Sequence, residues 1–94
     1  MMGIIEIKGD GFDGDVGGTC PVQGEGEIDG KRWYFRARGR RWRFGVGATE
    51  DDALDGVLFE TGGSYGESQF EAGYMPLEDA ERLIRESIAK YRTR

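Results

Sequence analysis

Arg32, Tyr34, Arg36 and Arg38 stand at every second position, and Arg41 and Arg43 resume the spacing after Gly39-Arg40. Side chains at a period of two share one face of a β-strand. A face of guanidiniums is always charged and grips carboxylate or phosphate through paired N–H donors. Three surfaces carry residues in this pattern. One is a solvated sheet face, whose arginine heads pair with Glu25, Glu27 or Glu60. The second is a protein-binding face, since arginine and tyrosine dominate interface energies. The third is a nucleic-acid surface, with arginines on phosphates and Tyr34 stacking a base. A converse surface is acidic. Glu50, Asp51 and Asp52, with Asp55, can imitate a phosphate backbone and dock on a basic protein. Glu78, Asp79 and Glu81 form a second acidic run, but an acidic helix start is ordinary capping.

Other chemistry lacks its residues. The chain has no histidine, which removes Ser-His and Cys-His nucleophilic pairs and imidazole base catalysis. Cys20 is alone, so it forms neither an intramolecular disulfide nor a CxxC pair, and a buried or inert thiol in a reducing cytoplasm is expected. Asp10, Asp13 and Asp15 suggest a calcium loop, but the EF-hand spacing is not met, so no metal is expected. GxGxxG and the P-loop are missing. The sequence therefore points to a non-enzymatic protein with no cofactor.

The charge distribution bears on the partner. The net charge is −5, yet Lys31 to Val46 holds seven of the thirteen basic residues, and no acid occurs between Asp29 and Glu50. An acidic protein repels nucleic acid at long range but can present a basic face at short range. No apolar run is long enough to span a bilayer, and no secretory signal is seen, so a membrane is not expected as partner.

The elements that position these residues follow from the same spacing. Ninety-four residues make one small domain, residues 1–94. Trp33, Phe35 and Ala37, then Trp42, Phe44 and Val46, fill the face opposite the arginines. A type II′ turn at Gly39-Arg40 pairs Ala37 with Trp42, Phe35 with Phe44 and Trp33 with Val46. It also sets Arg36 opposite Arg43 and Arg38 opposite Arg41. Asp29-Gly30 is a second hairpin signal. It sets Ile28 opposite Lys31, Glu27 opposite Arg32, Glu25 opposite Tyr34, and Gly26 opposite Trp33, where glycine leaves room for the ring. Strands are expected at 3–8, 22–28, 31–38, 41–47 and 56–61. Asp10 to Gly18 reads as an irregular loop, Gly62 to Gly66 as a turn, and Glu67 to Gly73 as strand or loop. Ala48 to Asp55 is a connection or one helical turn with Thr49 as its cap. A helix is expected over 76–92, with Pro76 at its first position. Leu77, Ala80, Ile84, Ile88 and Tyr91 form its apolar stripe, with Leu83 at the edge. The fold class is α+β: a twisted antiparallel meander of four to five strands, with the C-terminal helix on its aromatic face.

Two stretches carry a resemblance. GEIDGKRWYFRARGRRWRFGVG, and then EAGYMPLEDAERLI, resemble a group of small phage and mobile-element proteins that pair a YFRAR…W hairpin with a YMP…EAERLI helix. The match covers Gly26 to Gly47 and Gly73 to Ile84; the Gly/Asp-rich stretch from Asp10 to Gly18 has no counterpart. The resemblance implies an interaction protein that inhibits a nucleic-acid-handling complex in the host cytoplasm, in the manner of anti-CRISPR proteins. The implied partner is a host protein or ribonucleoprotein. A small nucleic-acid-binding module using Arg36, Arg38, Arg41 and Arg43 is the alternative.

Overall fold

The computed structural model describes residues 3–66 and 71–94. Six strands, β1 (Ile4–Gly9), β2 (Phe12–Gly17), β3 (Val22–Ile28), β4 (Lys31–Arg38), β5 (Arg41–Gly47) and β6 (Phe59–Ser64), form one antiparallel sheet in sequence order. A short helix α1 (Glu50–Leu54) lies between β5 and β6. A 3₁₀ turn (Glu71–Tyr74) and helix α2 (Leu77–Arg92) follow. The α+β meander with a C-terminal helix is as expected, with one strand more than the upper count.

The two central hairpins have the register that the alternation dictates. Gly26 pairs with Trp33, Phe35 with Phe44, Arg36 with Arg43 and Arg38 with Arg41. Asp29 and Gly30 both take positive φ (+50° and +80°), whereas at the β4–β5 turn only Gly39 does (+66°), as a II′ turn requires. One face of β4 and β5 is then wholly apolar. Trp33, Phe35, Ala37, Trp42, Phe44 and Val46 are all buried.

Helix α2 covers that face. Leu83, Ile84, Ile88 and Tyr91 are buried in the common core, and Leu77 packs against it. An aromatic chain joins the layers: Trp33 stacks on Phe44 at 5.8 Å, and Phe59 meets Phe44 and Tyr91 edge-on at 6.4 and 5.6 Å. Edge-on and offset pairs are the favoured ring geometries. Pro76 caps the helix rather than occupying its first turn. Ser87, within the apolar stripe, is buried and donates its Oγ–H to the Leu83 carbonyl at 2.7 Å.

The C-terminal end of α2 is clamped to both turns at one end of the sheet. Arg92 grips Asp29 through two nitrogens (2.7 and 3.0 Å) and donates to the Asp10 carbonyl at 2.7 Å. The Arg92 hydrogen bonds hold the Asp29 carboxyl below its ordinary value. The guanidiniums of Arg85 and Arg92 lie 5.6 and 5.4 Å from the Phe12 ring. Near the other end of the helix, the Tyr65 hydroxyl donates to the Asp79 carboxylate. That bond, with burial second, pushes the phenol up to about 12.

Five expectations are corrected. Asp10 to Gly18 is not an irregular loop, because Phe12–Gly17 forms β2, opposite β3. The strand expected at 56–61 is shifted to Phe59–Ser64. Gly56, at φ +62°, ends the α1 connection, and Gly62 and Gly63 continue the strand rather than turning. The strand expected at 3–8 runs Ile4–Gly9. Of the two readings of Cys20, a buried or an inert thiol, burial is ruled out, since the residue is exposed. Of the ambiguous stretch Glu67 to Gly73, residues 67–70 lie outside the described residues, and the rest enters the 3₁₀ turn.

Candidate functional site

The polar sides of β4 and β5 carry the arginines, but not as one surface. Helix α1 lies over the β5 end of that face, where Gly45 and Gly47 have no side chain. A Cβ on Gly47 would come within 2.5 Å of the Ala53 nitrogen, and one on Gly45 within 3.1 Å of the Gly56 Cα. These two glycines continue the Arg41-Arg43 alternation and admit a backbone where side chains would otherwise stand. Thr49 caps the helix by accepting from the Asp52 N–H at 3.2 Å.

This helix divides the face. At its end, Arg32 is a strut: its guanidinium lies 3.5 Å from both Glu27 and Glu50, and its Nε is buried without a hydrogen-bond partner. Tyr34 stands among Glu25, Glu50 and Asp51, and its hydroxyl accepts from Gln23 Nε2 at 2.8 Å. With Glu25 and Glu27, three further carboxylates alternate along β1 to β3 on the same face, Glu6 opposite Asp15, Asp15 opposite Glu25, and Asp13 opposite Glu27. Of the acidic group, Glu50 is beside Arg32, and Glu50 and Asp51 line one hollow with Tyr34; Asp52 lies in the same helix and Asp55 at its C-terminal cap.

At the other end, toward the β4–β5 turn, Arg36, Arg38, Arg41 and Arg43 line a concavity of about 450 Å³ with Glu60 and Thr61. Arg43 pairs with Glu60 at 3.2 Å. Among the described residues, Arg36, Arg38 and Arg41 form no ion pair. Arg40, at the turn, forms none either. Like charges directly opposite across a sheet oppose folding, yet Arg38 faces Arg41 and Arg36 faces Arg43. This concentration of unneutralised guanidiniums is what the fold must pay for, and folding alone does not require it.

The six basic-face residues thus separate. Arg36, Arg38, Arg41 and Arg43 share the concavity; Arg32 and Tyr34 belong to the acidic end. Of the other lining residues, Glu60 was legible as a partner for the arginine heads and pairs with Arg43; Thr61 and Gly62 were not, Gly62 because a turn was expected where β6 continues. The glycines at 45 and 47, interrupting an arginine alternation, were the sequence signal for α1 on this face. Among the described residues, no cluster of three or more histidine, cysteine or acidic side chains is arranged to hold a metal ion. No helix among them is long and apolar enough to cross a membrane. Comparison with protein-family models, curated proteins and solved structures gave no match.

Proposed function

We propose that this is a non-enzymatic binding protein that docks on an acidic surface of a protein or ribonucleoprotein partner through Arg36, Arg38, Arg41 and Arg43. The observation that carries this reading is the concavity they line, with three of the four guanidiniums unpaired among the described residues and set opposite one another across the strands. Desolvated, bidentate arginines are what tight interfaces use.

A protein surface fits better than a nucleic-acid strand. Single-strand binders combine a basic track with aromatic platforms. Here the one aromatic that the described residues place on the polar face, Tyr34, lines a hollow with Glu25, Glu50 and Asp51 and is hydrogen-bonded by Gln23. A phosphate chain leaving the arginine end along the face would meet the carboxylates of β1 to β3. The specific form that the sequence resemblance implies is inhibition of a host nucleic-acid-handling complex, of anti-CRISPR type, in the host cytoplasm. It rests on that resemblance alone.

The test has two arms. In the first, the purified protein is titrated with short single-stranded DNA and RNA over a range of salt. Weak or no binding is expected, and tight binding that falls steeply with salt would favour the nucleic-acid module. In the second, partner capture from nuclease-treated host lysate is compared for the parent, the R36E/R38E/R41E variant, and a variant with Glu50, Asp51, Asp52 and Asp55 neutralised. Loss in the arginine variant with retention in the acidic variant is expected; the reverse would move the docking surface to α1.

A further inference from the structure

Among the described residues, strand β6 is an edge strand, paired only with β5. The Tyr65 N–H donates to the Arg40 carbonyl at 2.9 Å, so Tyr65 faces β5. Main-chain groups alternate sides along a strand. Thr61 and Gly63 therefore face β5 as well, and the N–H and C=O of Glu60, Gly62 and Ser64 point away from the sheet. Natural edges are blunted by lysine, proline, bulges or an overlying element. The stretch Phe59–Ser64, FETGGS, has no lysine or proline, and among the described residues no element pairs with its outer side.

The arginine concavity opens beside this edge, with Glu60, Thr61 and Gly62 in its wall. Gly62 lies opposite Arg43, and Ser64 opposite Arg41. A strand added to β6 would run about 4.8 Å beyond it. With no side chain on Gly62, the path from Arg43 to a residue on that added strand is open.

From this juxtaposition we infer that β6 receives an extended acidic segment of the partner protein as a seventh strand. Main-chain bonds to Glu60, Gly62 and Ser64 hold the segment, and its carboxylates on the polar side meet Arg43 and Arg41. Strand addition of this kind takes affinity from the main chain and specificity from alternate side chains. A second copy of the chain suits the edge less well. Its β6 would offer one carboxylate, Glu60, already paired with Arg43, and would bring another arginine cluster alongside.

This inference rests on the arginine end being the docking surface, and it is tested separately. The probe is a seven-residue peptide, capped at both ends, in which glutamate alternates with valine and threonine. It is titrated into the full chain and followed by amide chemical shifts. Saturable binding is expected, with the shifts concentrated in β5 and β6. Two changes should each weaken it about tenfold or more: N-methylation of the peptide at the alternate residues facing β6, and Ser64→Pro in the protein. Replacing glutamate by lysine in the peptide should abolish it. Failure to bind, or indifference to N-methylation, would overturn the inference, as would a dimer of the parent chain that Ser64→Pro dissolves. Partner capture separates the two claims. If capture needs the arginines but survives Ser64→Pro, the docking surface stands and strand addition falls.

Discussion

Arg38→Glu should stabilise the protein while weakening its binding. In the parent, Arg38 and Arg41 face each other across the β4–β5 ladder, both exposed, and among the described residues neither has an acidic partner. The substitution removes one like-charge pair and creates one opposite-charge pair at the same positions. Each change is worth about 0.2–1 kcal/mol across an antiparallel pair, and exposure keeps both toward the lower half of that range. The sum is about 1 kcal/mol, which in a domain of this size raises Tm by about 4–8 °C. Thermal unfolding followed by circular dichroism in low salt and in 1 M salt is the assay. At 1 M the screening length falls to about 3 Å, so most of the gain should vanish there. An unchanged or lower Tm at low salt, or a gain that survives 1 M salt, would show that the opposed arginines cost the fold nothing. Their opposed placement would then give no support to a binding role.

Further expectations concern the elements that hold the hairpin in place. Trp33→Ala should cost about 3–5 kcal/mol in chemical denaturation, since the ring is buried. Trp33→Phe should cost less, but it leaves the Asp13 carbonyl without the Nε1–H that it accepts at 3.0 Å. Ile84→Asp should unfold the domain or release α2, because it buries a carboxylate in the core. Glu81→Lys should cost only the surface pair with Arg85, about 0.3–0.5 kcal/mol. In an alkaline titration, Tyr65 should ionise near 12 and return toward 10 in Asp79→Asn. Its folded value lies above the unfolded one, so its contribution to stability is whole below about pH 10 and is lost as pH rises through 12. A normal midpoint in the parent would show that the Tyr65–Asp79 bond does not form in solution.

The central hairpins were legible because two signals agreed. Period-two alternation from Lys31 to Val46 chose the buried face, and the Asp29-Gly30 and Gly39-Arg40 turns fixed the register. The helix was legible from its stripe and its charge gradient. β2 was not, because DGFDGDVGG has the composition of a loop. Its glycines answer to distant partners. The indole of Trp33 crosses β3 to reach β2, and a Cβ on Gly26 would lie 2.7 Å from Trp33 Nε1. The sequence reading anticipated this room at Gly26, but not that it extended to Gly14. β6 was displaced because Val57 and Leu58 look like strand core, yet both are exposed. The paired Gly62-Gly63 looks like a turn, yet a Cβ on Gly63 would lie only 3.2 Å from Trp42 Nε1. Of the candidate site, the four arginines and their cross-strand pairing could be read from the spacing. Their separation from Arg32 and Tyr34 could not, because it depends on where α1 lies.

The claim that the arginine concavity is a protein-docking surface is tested most directly by cross-linking from within it. A photoreactive phenylalanine analogue is placed at Ser64, exposed on the arginine side of β6 opposite Arg41. A control carries it at Ala89, exposed on α2, which packs on the opposite face of the sheet from the concavity. Both proteins are irradiated in host lysate with and without nuclease. A discrete protein adduct is predicted from Ser64 alone, unchanged by nuclease and lost when R36E/R38E/R41E is added to the same chain. A Ser64 adduct that nuclease destroys, or the same adduct from both positions, would contradict the account.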